Sequence, residues 1–264
     1  MSDRARNSSL LLFFVLAYGF TWSLHLAIPI LDIPFSLELT SPALGLYMLG
    51  LLGPLVAALC VAARVDGRVG VRRLLASGVQ WRFGITWYAC AVLTVPALMF
   101  VNLALVFPDL PKDFDWLRFE LLFVVGQIWV VVGEEYGWRG FALPRLQVRF
   151  GSLGASLIIG FLWASWHLPM FFTPGSPQYT PTFLSAFVNY VLIVICWSII
   201  MTLLYNRTGG SVLACMLFHA MINIAAFTIY VPAEFDLMRW LYVPVILVVI
   251  VLLPRPLFRR LSKS

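Results

Sequence analysis

Three short patterns in this chain hold residues whose types and spacing suit the hydrolysis of an amide. They are Glu134-Glu135-x-x-x-Arg139, Trp163-x-x-x-His167 and His219-x-x-x-Asn223. Residues four apart share a helix face, so Glu135 and Arg139 can pair, and His219 lies on one face with Asn223. Glu134 points about 100° away from Glu135, toward something else. The glutamates follow directly on Phe123-Val-Val-Gly-Gln-Ile-Trp-Val-Val-Val132, a run apolar enough to lie in lipid. An acid at the centre of a membrane helix costs about 2.5–3.5 kcal/mol, so such residues face the protein interior and as a rule have a task. Taken alone, the two glutamates would equally fit a solvated helix end.

The chemistry follows from the residue types. In a low-dielectric cavity Glu134 suits a base that activates a water near neutral pH. His167 can hold that water or pass a proton to the leaving amine. His219 and Asn223 offer hydrogen bonds to an oxyanion, where one donor is worth about 10²–10³ in rate. Glu135 held by Arg139 would brace the helix and set the direction of Glu134. The alternative is a zinc ion bound by Glu134, His167 and His219, since catalytic zinc takes three protein ligands and a water. There is no His-Glu-x-x-His pair, however. If His219 and Asn223 act together on the oxygen, only Glu134 and His167 are left for a metal, and the metal-free base is preferred.

The elements that must position these residues are membrane helices. Hydrophobic residues make up 61% of the 264 and charged residues 11%, against about 25% charged in ordinary soluble domains. Apolar runs of about 20 residues, the length of a span, fall near 9–30, 43–63, 84–107, 119–138, 153–172, 184–205, 211–231 and 237–253. The expected fold class is therefore an all-α, polytopic membrane protein of about eight transmembrane helices, in one membrane domain over 1–264. Segments alternating over about ten residues, as in an outer-membrane barrel, are missing. With the N-terminus in the cytoplasm, fifteen of the eighteen basic residues fall on inside segments. The positive-inside rule then sets both termini in the cytoplasm of a cell-membrane protein. Topology also explains the net charge of +6, and no basic stripe interleaved with aromatics points to nucleic acid.

Smaller features complete the reading. Arg4 and Arg6 ahead of Leu10 imitate a signal peptide, but the apolar run continues to Ile30 without a small-residue cleavage site, so a retained helix is expected. His25, near the outer end of that helix, reads as interfacial. Gly50-Leu-Leu-Gly53-Pro54 suits close packing or a kink. Arg64 to Arg82 reads as an inside loop, and Pro144 with Gly151 as the turn into the fifth helix. Cys60, Cys90, Cys196 and Cys215 lie in apolar runs without close pairs and are expected as buried small hydrophobes. One geometric demand remains. Spans entered near Phe119 and Leu153 would leave Glu134 and His167 about 13 Å apart in depth at about 1.5 Å per residue. Bringing them together requires 150–157 to lie outside lipid or line a cavity.

The three patterns, in this order on separate helices, resemble the CPBP family, the CAAX proteases and bacteriocin-processing proteins also called Abi. Its signature is Glu-Glu-x-x-x-Arg, an aromatic-x-x-x-His and His-x-x-x-Asn or Asp; Trp163 stands where the family usually has Phe. The similarity covers about 119–231. It implies an eight-helix intramembrane endopeptidase with a water-filled cavity opening to the cytoplasm, acting on a membrane-associated peptide or protein that can be prenylated, with membrane lipid as its surroundings. A non-catalytic scaffold or bacteriocin self-immunity factor is the second reading. A proton- or cation-coupled transporter is the third, weakened because no related halves are found.

Overall fold

The computed structural model describes residues 3–106 and 121–228, which fold into helices joined by turns, with no strand among them. In chain order the helices are α1 (Asp3–Ile30), α2 (Pro42–Gly50), α3 (Gly53–Gly78), α4 (Ile85–Val106), α5 (Leu121–Glu135), α6 (Leu143–Trp166), α7 (Phe183–Arg207) and α8 (Val212–Thr228). A π-helical segment, Tyr136–Ala142, joins α5 to α6, and a 3-10 turn, Leu168–Phe172, follows α6. Four stretches are long and apolar enough to cross a membrane: Ser8–Ile30, Pro42–Gly78, Val125–Phe172 and Phe183–Arg207. Ile85–Val101 and Val212–Ala225 are shorter apolar helices. Exposed Leu11, Val15, Phe20 and Ile30 on α1 suit a lipid-facing surface. Seven of the eight expected spans thus have a helical counterpart, and the eighth, 237–253, lies outside the described residues, as does the acidic stretch 108–118.

The expected second helix is broken in two for a local reason. Pro54 has no N–H to give to the carbonyl of Gly50, and the Thr21 hydroxyl donates to that carbonyl instead at 2.7 Å. Ser41 caps the start of α2, its hydroxyl accepting from the amide of Leu44. Beyond the break, α3 runs well past the expected membrane edge. Arg64 to Gly78 is helix rather than loop, with a kink at Gly67. Gly70, Leu74 and Gly78 recur every fourth residue and are buried, while Arg64, Arg68, Arg72 and Arg73 on the other faces are exposed. This periodicity makes the segment helical; a count of charges alone reads it as a loop.

A second correction concerns 136–151. Pro144 does not mark a turn; it lies at the start of α6, directly after the π-helical segment. Gly151 is the actual break, with φ 68° inside α6, a left-handed conformation that only glycine adopts cheaply. A polar clamp holds this kink. Ser152 Oγ donates to Gln147 Oε1 at 2.8 Å, and Asn206 Nδ2 from α7 donates to the same oxygen at 2.9 Å. Ser152 and Ser156 are buried against protein.

The core gathers around the π-helical segment. Phe13 of α1 packs on Trp138 and Phe141, and Trp138 meets Trp166 edge-on with ring centroids 5.9 Å apart. Gly137 lets the segment lie directly on α3, since a Cβ there would come within 2.7 Å of the Pro54 carbonyl. Of the cysteines, Cys196 and Cys215 are buried as expected, whereas Cys60 is exposed.

Candidate active site

The site forms where α5 passes into the π-helical segment, opposite the end of α6 and one face of α8. Glu134 and Glu135 are the last residues of α5. Both are buried, as are Arg139, His167 and His219, and none of the five exceeds 6% exposure. Arg139 lies in the protein interior. A π-helical turn, rare elsewhere and frequent at functional sites, carries it there.

The two adjacent glutamates have different surroundings. Glu135 accepts from Arg139 Nη1 at 2.8 Å and from His219 Nδ1 at 2.8 Å on the same oxygen, Oε1. The expected pairing within the helix is therefore present, and α8 joins it. Glu134 points away from this cluster. Its Oε2 accepts from the indole Nε1 of Trp163 at 2.5 Å, a hydrogen bond between α5 and α6. That bond sets the two helices at matching heights, so the mismatch expected from two independent spans does not arise.

The end of α6 explains the state of His167. The His167 amide bonds back to Ala164 at 3.1 Å, and Pro169 has no amide to offer. The last carbonyls of the helix are satisfied by side chains instead. Tyr18 donates to Leu162, Trp22 donates to Trp166 at 2.9 Å, and His167 Nδ1 lies 2.9 Å from the carbonyl of Trp163. A carbonyl only accepts, so Nδ1 of His167 carries the proton and a neutral ring presents Nε2 as an acceptor. By the same reasoning His219 donates through Nδ1 to the Glu135 carboxylate. Its Nε2 is then a donor only when both ring nitrogens carry protons.

Asn223, one turn beyond His219, is half-buried and donates through Nδ2 to Gln127 Oε1 at 2.8 Å. Gln127 is a site residue that the motifs do not contain. Its signal was an amide within an apolar run, seven residues before Glu134 and so near the same helix face. His25 was also misplaced. It is buried, with Nε2 donating to the carbonyl of Tyr47 at 3.0 Å and its ring stacked on Tyr47. The α1 face that seemed interfacial is covered by the α2–α3 break.

Among the described residues no three His, Cys, Asp or Glu side chains converge as a ligand set. His167 Nδ1 and His219 Nδ1 are held by the Trp163 carbonyl and by Glu135, which leaves Nε2 of each ring as the nitrogen that a ligand would meet. The grooves on this molecule lie elsewhere. One of about 760 Å³ runs past Arg68, Arg72 and Tyr136, another of about 340 Å³ past Asp66, Arg73 and Arg145. Neither of these two grooves is lined by any of the six candidate residues.

Comparison with known proteins bears on this part of the chain. The family model described as Type II CAAX prenyl endopeptidase Rce1-like matches residues 116–225, a stretch that holds Glu134, Glu135, Arg139, His167, His219 and Asn223. The protein named CAAX prenyl protease 2 of Methanococcus maripaludis is 34% identical over 93 residues. The match covers 34% of this chain and 34% of that relative, about a third of its length.

Proposed function

We propose that this multi-pass membrane protein is an endopeptidase of the CAAX type, with both termini in the cytoplasm; the match of residues 116–225 to the Rce1-like family model and the likeness to CAAX prenyl protease 2 support the reading. Its substrate is a peptide or protein held at the membrane, and prenylation would be the anchor. The observation that carries the reading is the division of labour between adjacent carboxylates. Glu135 is neutralised by Arg139 and His219, whereas Glu134, equally buried, is met by one neutral donor and stays available to take a proton.

In this mechanism a water is held between Glu134 and Nε2 of His167. Glu134 takes a proton as the water oxygen bonds to the scissile carbonyl carbon. The negative charge moves to the carbonyl oxygen, where Nε2–H of a doubly protonated His219 and the second N–H of Asn223 Nδ2 receive it. Collapse of the adduct breaks the C–N bond, and the amine takes up a proton through Glu134 or His167. No step runs through a metal ion.

The burial of Glu134, Glu135, Arg139, His167 and His219, none more than 6% exposed, is the observation that favours the second reading, a non-catalytic scaffold or self-immunity factor. Incubating the purified protein with libraries of prenylated and unprenylated peptides separates the two. Cleavage that is lost in Glu134→Ala supports the enzyme. Binding of a partner without cleavage of any peptide would support the scaffold.

A further inference from the structure

Trp163 touches four residues of the site at once: Glu134, His167, Arg139 and His219. Its indole N–H is on Glu134 and its carbonyl is on His167. Arg139 sits over its ring, with Cζ 4.3 Å from the centroid. His219 meets the ring edge-on, the centroids 5.0 Å apart and the planes at 76°. The ring is itself 4% exposed, so its rotamer is held by the residues around it.

We infer that Trp163 is a positioning residue for the reaction, and that its N–H, rather than its bulk, is what the site uses. The inference rests on the hydrolytic reading above. A carboxylate on a flexible Glu side chain rotates freely unless one oxygen is pinned. The indole donor takes Oε2 and so leaves Oε1 as the oxygen that faces a water. The carbonyl of the same residue fixes the tautomer of His167 and leaves Nε2 as an acceptor. One residue at the end of α6 thus links the base on α5 to His167. Trp163 lies within the cluster that carries the charge here, with Glu135 and Arg139 from the α5 end and His219 from α8. Tyr47 and Tyr190 are the titratable groups that approach Glu134 from α2 and α7.

Trp163→Phe keeps an aromatic face for Arg139 and His219 but removes the N–H together with the five-membered ring that carries it, so KM and unfolding are read beside kcat to separate the donor role from packing. With prenylated peptide as substrate, kcat is expected to fall about 10–100-fold, the worth of a hydrogen bond to a charged group, with KM and unfolding temperature little changed. The bond is also read without catalysis. In protein labelled with nitrogen-15 at the indoles of its ten tryptophans, the N–H resonance lost in Trp163→Phe belongs to Trp163. That resonance is expected at low field and should move upfield in Glu134→Gln, where a neutral amide replaces the carboxylate. A full kcat in Trp163→Phe, or a loss seen only in KM or in stability, would overturn the inference, as would a resonance indifferent to Glu134→Gln. A wild-type protein that cleaves nothing would sink the hydrolytic reading and the positioning role with it, while the resonance would still report the Trp163–Glu134 bond.

Discussion

Removing Arg139 tests the electrostatic frame of the site. Arg139 and Glu135 are both fully buried, 2.8 Å apart. Taking away one member of a buried pair costs about 3–5 kcal/mol, because the other is left charged and desolvated. The guanidinium also lies on the face of Trp163, and a desolvated contact of that kind adds about 2 kcal/mol. Against this, His219 remains as a donor to Glu135 at 2.8 Å and offsets part of the loss. Arg139→Ala is therefore expected to destabilise the protein by about 3–5 kcal/mol in denaturant unfolding in detergent micelles, followed by tryptophan fluorescence. The double variant Glu135→Gln, Arg139→Met removes both charges at similar volume and should recover most of that loss. A cost for Arg139→Ala under about 1 kcal/mol, the worth of an exposed pair, would refute the reasoning. So would a double variant no more stable than the single one.

Other expectations concern packing, the amide pair and the metal. Gly137→Ala brings a Cβ within 2.7 Å of the Pro54 carbonyl, where neither backbone can yield. Overpacking of this kind costs about 1–3 kcal/mol, whereas Gly19→Ala, with nothing within 4 Å, should leave the unfolding midpoint in place. Gln127→Leu deprives Asn223 of its acceptor and should lower kcat about 10-fold if that amide is an oxyanion donor; an unchanged kcat removes Asn223 from the mechanism. Purified protein should contain less than one zinc per chain and keep its activity after dialysis against a strong chelator. One tightly held zinc per chain, with activity lost on its removal and restored on its return, would show the enzyme to be a metalloprotease.

What could be read from the sequence was governed by local spacing. The Glu135–Arg139 pair follows from a four-residue interval, and the apolar runs follow from composition, so both are visible without coordinates. The contacts that distinguish Glu134 from Glu135 span 29 and 84 residues, to Trp163 and His219, and no local pattern specifies them. The π-helical segment left no signal in Tyr136–Ala142. Two of its residues, Gly137 and Trp138, lie against Pro54 and Trp166, contacts that no local pattern announces. Arg64 to Gly78 was misread because arginines dominate its composition, while the buried Gly70, Leu74 and Gly78 that make it a helix are small or few. His25 was assigned by depth along α1, and depth says nothing about which neighbour covers a face.

The central claim, that Glu134 is the base of a peptide hydrolysis, is tested most directly by single-turnover cleavage of a membrane-anchored prenylated peptide by wild type and Glu134→Gln in the same bilayer discs. The amide keeps the shape of the side chain and can still accept from Trp163, but it cannot take a proton from water. A fall of about 10²–10⁴ in the cleavage rate is expected, the usual worth of a general base, with substrate binding and unfolding unchanged. Cleavage by Glu134→Gln at the wild-type rate would contradict the claim.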